Sequence, residues 1–136
     1  MSGTPIDLAQ VKIPSYFIST VEDHIAPWKT TYKGAKYLKG PVRFVLGGSG
    51  HIAGIVNPPS AKKYHFWTNE SQPETAEKWF ETATQKPGSW WQDWQAWIEK
   101  QNADAPRVPA RIPTNAIEPA PGGYAKLRLG AKAKSS

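Results

Sequence analysis

Apolar residues fall in short blocks along this chain, not in one long periodic face. Tyr16-Phe17-Ile18 and Val42-Arg43-Phe44-Val45-Leu46 are apolar at their centres. Such runs predict strands over residues 13–20 and 41–46, covered on both faces as in a parallel sheet. Pro14 is tolerable near the start of the first. Residues 29–38 predict a helix ended by Gly40-Pro41. Strand, helix and strand then form a right-handed crossover that sets the two strands side by side.

Further on, the pattern loosens. Residues 55–71 read as a loop with Pro58-Pro59 and an aromatic patch, Tyr64-His65-Phe66-Trp67. Ser71-Gln72-Pro73-Glu74 has the form of a capping box opening a helix to about residue 84, with Lys86-Pro87-Gly88 as its breaker. Ser89, with Gln92 in the reciprocal position, predicts the cap of another helix. There Trp90, Trp94 and Trp97 recur at i, i+4 and i+7, and Trp91 and Ile98 widen the stripe. The stripe packs onto a parent domain, or it lines an apolar product channel or an oligomer contact. From Asp104 onward, five prolines by position 121 and the closing Ala-Lys-Ala-Lys-Ser-Ser predict an extended, partly disordered arm. The expected division is 1–103 and 104–136. Two parallel strands make a marginal sheet with exposed edges. The chain is therefore expected to be the C-terminal part of a larger α/β domain, or to dock onto a partner that supplies the missing strands.

Composition narrows the function. A chain of 136 residues suits one small domain, and seven Trp offset a hydrophobic fraction of only 39%. With no Cys, there is no disulfide framework, no thiolate metal site and no cysteine nucleophile in this chain. No apolar run reaches the roughly 18 residues of a membrane span. Residues 1–7 carry neither the basic nor the apolar region of a signal peptide, so a cytoplasmic location is expected. The net charge is +6, and a surplus of four lies in residues 103–136. These tail cations are dispersed and form no recognisable nucleic-acid motif.

Two segments carry candidate chemistry: Glu22-Asp23-His24-Ile25-Ala26-Pro27-Trp28 after the first strand, and Gly47-Gly48-Ser49-Gly50-His51 after the second. Sites in open α/β sheets form in loops beyond the carboxyl ends of strands. An acid on one such loop and a histidine on the next are the last two members of a nucleophile-acid-histidine triad in α/β-hydrolase order. Nothing upstream of Asp23 fits the nucleophile. The plainer alternative is that Asp23 closes a turn and His51 is an ordinary loop histidine. His24 is a candidate for a supporting hydrogen bond, and His65 reads as a packed or surface residue. No HExxH or paired-His spacing supports a metal site. Gly48-Ser49-Gly50-His51-Ile52-Ala53 meets the loose form G-x-G-x-x-A, but Asn57-Pro58-Pro59 follows at once where a helix is needed. Lys-Ser/Thr is missing for a P-loop, and Ser49 does not stand in G-x-S-x-G.

Residues 22–28, 47–59 (Gly-Gly-Ser-Gly-His-Ile-Ala-Gly-Ile-Val-Asn-Pro-Pro), 88–97 (Gly-Ser-Trp-Trp-Gln-Asp-Trp-Gln-Ala-Trp) and 117–124 (Ile-Glu-Pro-Ala-Pro-Gly-Gly-Tyr) resemble, in order, the C-terminal portion of class I polyhydroxyalkanoate synthases. The resemblance implies an α/β-hydrolase fold. It implies an acyltransferase that polymerises (R)-3-hydroxyacyl-CoA, typically 3-hydroxybutyryl-CoA, into storage polyester and releases CoA, with no cofactor beyond that thioester substrate. Asp23 would correspond to the acid and His51 to the base of a Cys-Asp-His triad. The cysteine would come from the N-terminal part of the synthase or from a partner chain, so the chain is expected to be inactive alone. It reads either as a truncated reading frame or as half of a complex. The complete protein is expected to be a homodimer at the surface of a cytoplasmic polyester granule. Competing readings are a fragment of a polyester depolymerase or esterase, and a non-enzymatic module that binds granules or partners.

Overall fold

The computed structural model describes residues 3–111 and 114–128. The chain divides into two compact units, Met1–Asp104 and Ala105–Ser136. In the first, β1 (Ser15–Thr20), α1 (Trp28–Ala35) and β2 (Val42–Gly47) form the crossover, followed by β3 (His65–Thr68), α2 (Ala76–Glu81), β4 (Thr84–Pro87) and α3 (Trp91–Gln101). Strands β1 and β2 pair in parallel from Ser15↔Val42 to Thr20↔Gly47, so their carboxyl ends lie at one rim.

The sheet is mixed, not parallel as the two apolar runs suggested. Its order is β1-β2-β3-β4, and both β3 and β4 are antiparallel to their neighbours. The aromatic patch expected in a loop is β3. Phe66 and Thr68 are buried while His65 and Trp67 are half-buried, the alternation of a strand. At four residues it is too short to announce itself against Pro58-Pro59. Lys86-Pro87-Gly88, expected to break a helix, ends strand β4 instead. Pro87 is compatible with this because β4 is an edge strand. Gly88, at φ +84°, turns the chain into α3.

The capping box at Ser71 is also corrected. Ser71 bonds the Asn69 carboxamide, and Gln72 donates to the Val42 carbonyl. Thr75 caps α2, its hydroxyl accepting from Lys78 N–H at 3.2 Å. Trp90, not Ser89, is the cap residue of α3; the Ser89 hydroxyl in front of it accepts from Trp91 N–H at 3.1 Å, and Gln92 makes no return bond among the described residues.

Helices cover both faces. Phe44 and Leu46 of β2 project into a core with Trp28, Tyr32, Ala35, Ala76 and Trp79 from α1 and α2. Phe44 meets the rings of Tyr32 and Trp79 edge-on at 5.1 and 5.0 Å. On the opposite face, Tyr16 of β1 meets Trp97 edge-on at 5.5 Å and stacks on Trp90 at 6.1 Å. Arg43 of β2 holds Asp93 of α3 through two bonds of 2.7 and 2.6 Å. The tryptophan stripe is thus divided: Trp90 and Trp97 lie on the sheet, and Trp94 is 41% exposed. In the second unit, Gly122 at φ +81° precedes a single helical turn, α4 (Gly123–Lys126). The closing segment 131–136 lies outside the described residues.

Candidate active site

The β1–β2 ladder continues past the ends of both strands. Val21 N–H donates to Gly47 O at 2.9 Å, and Glu22 N–H donates to Ser49 O at 3.2 Å. Ser49 reaches that position with a left-handed backbone, φ +71°. On its other side the second loop is tied to β3 by Gly48 N–H to His65 O at 2.8 Å. A Cβ on Gly54 would stand 2.4 Å from Gly48 O and Thr20 Cγ2, which makes glycine necessary there, and one on Gly48 would press on the His65 ring and carbonyl at 3.0 Å. These close approaches place residues 23 and 51 against each other.

His51 Nδ1 lies 2.7 Å from Asp23 Oδ2. The other carboxylate oxygen, Oδ1, accepts from the amides of Ile25 and Ala26, each at 2.9 Å. One oxygen is therefore fixed by backbone and the other is presented to the imidazole. The Ala26 amide, then the His51 hydrogen bond, with lesser help from the Ile25 amide, hold the Asp23 carboxyl down to about 2. An ionised carboxylate can only accept, so Nδ1 donates to Asp23 and Nε2 is the ring nitrogen not bonded to the acid. The Asp23 side chain is 8% exposed, and that of His51 is 49% exposed. The pair is an anchored carboxylate behind an accessible imidazole.

The remaining candidates lie elsewhere. His24 is exposed at the outer corner of the turn that Asp23 closes, and it bonds neither Asp23 nor His51. His65 packs edge-on against Trp67 at 4.6 Å, beneath Gly48. Among the described residues, no group of three His, Asp or Glu side chains is arranged to hold a metal ion. No described helix is long and apolar enough to cross a membrane.

Sequence reasoning missed what holds the histidine loop from behind. The indole N–H groups of Trp90 and Trp91 both donate to Ile55 O, at 3.1 and 3.0 Å. Buried Asn57 donates from its carboxamide to Lys63 O at 3.0 Å and Gly88 O at 3.4 Å. Helical spacing assigned the tryptophans to a packing stripe and carried no signal for these polar roles.

The described residues thus form an α/β unit with a hydrogen-bonded acid and imidazole on adjacent strand-end loops. No protein-family model matches the chain. Individual relatives do. It is 51% identical over 132 residues to the poly(3-hydroxyalkanoate) polymerase subunit PhaC of Rhizobium etli, covering 94% of this chain and 20% of the relative. It is 44% identical over 129 residues to the PhaC subunit of Cupriavidus necator, covering 93% and 22%. It is 44% identical over 133 residues to the poly(3-hydroxyalkanoate) polymerase of Methylorubrum extorquens, covering 94% and 22%. The chain spans about a fifth of the length of these curated relatives. Along nearly its whole extent the chain is similar to a segment of poly(3-hydroxyalkanoate) polymerases, and this similarity supports a C-terminal portion of such a synthase.

Proposed function

We propose that this chain supplies the acid and base of a polyhydroxyalkanoate polymerase whose cysteine nucleophile lies on another segment or chain. The observation that carries the reading is the 2.7 Å contact between His51 Nδ1 and Asp23 Oδ2 on neighbouring strand-end loops. Asp23 fixes the imidazole tautomer and stabilises the imidazolium. His51 Nε2 takes the proton from a cysteine thiol. The thiolate attacks the carbonyl of a (R)-3-hydroxyacyl-CoA thioester, the CoA thiolate leaves with a proton, and an acyl-enzyme thioester remains. The hydroxyl of a second unit then gives its proton to the base and attacks that thioester. An ester bond forms and the cysteine is released.

In this reading residues 1–103 belong to an α/β-hydrolase catalytic domain and residues 104–136 form its tail. The chemistry needs no cofactor. The complete protein works as a homodimer at a polyester granule in the cytoplasm, and the isolated chain does not polymerise.

A fusion tests this. The chain replaces the matching segment of the Rhizobium etli relative, and CoA release from 3-hydroxybutyryl-CoA is followed. The fusion is expected to release CoA and the isolated chain to release none. His51→Gln should lower the rate by about 10³-fold or more, and Asp23→Asn by about 10²-fold or more. A His51→Gln fusion as fast as its parent removes the base assignment. Ester hydrolysis without any need for CoA would assign the segment to a depolymerase.

A further inference from the structure

We propose that Trp90 and Trp91 are positioning residues for His51, acting through the carbonyl of Ile55. The inference rests on His51 being the base. Residues 50–56 form one compact turn, closed by Gly54 N–H to Gly50 O at 3.0 Å, Ile55 N–H to Ile52 O at 3.1 Å and Val56 N–H to Ile52 O at 2.8 Å. His51 and Ile55 therefore move together. At one end of the turn the imidazole meets Asp23. At the other, Ile55 O accepts from the two indoles at 3.1 and 3.0 Å, filling both of its lone-pair directions.

The donors are themselves held. Trp90 stacks on Tyr16 of the sheet at 6.1 Å and meets Trp91 edge-on at 6.4 Å. Ser89, in front of them, is buried and accepts from Trp91 N–H. Asn57 donates to Gly88 O, so residues 55–57 and 88–91 are joined by three side-chain hydrogen bonds running in both directions. Packing alone would not aim two adjacent indole N–H groups at one oxygen. A half-exposed imidazole with one carboxylate partner also needs its backbone fixed, because a displacement of about 1 Å from productive geometry costs up to about 10²-fold in rate.

The test compares Trp90→Phe, Trp91→Phe and the double variant, which keep a smaller aromatic ring in place and remove the donors. In the isolated chain, the His51 Nδ1 proton is followed by NMR alongside far-UV circular dichroism. In the fusion described above, kcat and KM are measured. Each single variant should lower kcat by about two- to fivefold with KM unchanged. The double variant should lower it by more than the product, because one remaining indole still holds the carbonyl. The His51 Nδ1 proton should broaden or shift in the double variant while the fold is kept. A folded double variant with both the Nδ1 signal and kcat unchanged overturns the proposal. If the double variant does not fold, the single variants decide, and wild-type kcat in both overturns it. Were the fusion to show no activity dependent on His51, the base assignment would fall, and the Nδ1 signal would still report whether the indoles position the ring.

Discussion

Asp23 owes its behaviour to three hydrogen-bond donors converging on one carboxylate: the Ile25 and Ala26 amides and the imidazole of His51. These favour the charged form and place its pKa near 2, below the ordinary 3.8. The unfolded chain therefore binds this proton first as the pH falls. The stabilisation is fully present above about pH 4 and is lost as the pH drops through about 2. The amide resonances of Ile25 and Ala26 should titrate with a midpoint near 2, and this step should vanish in Asp23→Asn. A midpoint near 4 would mean that the turn does not hold the carboxylate. Its place opposite His51 was legible in sequence from the two strand-end loops, beside the plainer use of closing a turn, and Asp23 makes both contacts. Its anchoring was not legible, since the amides that fix it become donors only once the turn has closed.

Helix α3 is joined to the sheet by charge as well as by rings. Asp93 accepts from Arg43 at two atoms and from the Tyr16 hydroxyl at 3.0 Å, with Lys86 4.0 Å away. Burial pushes the Asp93 carboxyl up, but Arg43, Tyr16 and Lys86 together hold it below the usual range. Removing it with Asp93→Ala leaves the phenol without its acceptor and the guanidinium with only the exposed Glu70, at 3.3 Å. A loss of about 2–3 kcal/mol is expected in urea unfolding, at the low end for a buried pair because Arg43 keeps some exposure. Replacing both partners, Arg43→Met with Asp93→Leu, should recover most of that stability, and a double variant no better than Asp93→Ala would contradict the ion-pair account. An acid inside a tryptophan-rich helix gave no hint of this partner, which lies 50 residues away. Local pattern misread β3 and β4 for a related reason. Four-residue strands are too short for periodicity to outweigh prolines and a glycine.

For the molecule as a whole, the open flank of the sheet bears directly on the proposed incompleteness. Strand β1 lies at one end of the sheet, with β2 on its inner side. Ser15 and Val21 donate their amides inward to Pro41 O and Gly47 O. Strand alternation then turns the amides of Tyr16 and Ile18 toward the open side, whereas Thr20 is fully buried. Apolar edges of this kind are normally paired or covered. Hydrogen exchange should find the amides of Tyr16 and Ile18 fast in the isolated chain and protected in the fusion. Fast exchange in both would mean that no upstream strand pairs there.

By itself the sequence determined the strand–helix–strand crossover, the loops that follow it and the acid and histidine they carry. Apolar runs, glycines and titratable side chains are local properties, and that crossover is built from local pieces. Tertiary structure alone decided the antiparallel extension of the sheet, the Arg43–Asp93 tie and the convergence of two indoles on Ile55. Each of these needs donors and acceptors from distant segments, and no residue carries a mark of its partner until the chain has folded.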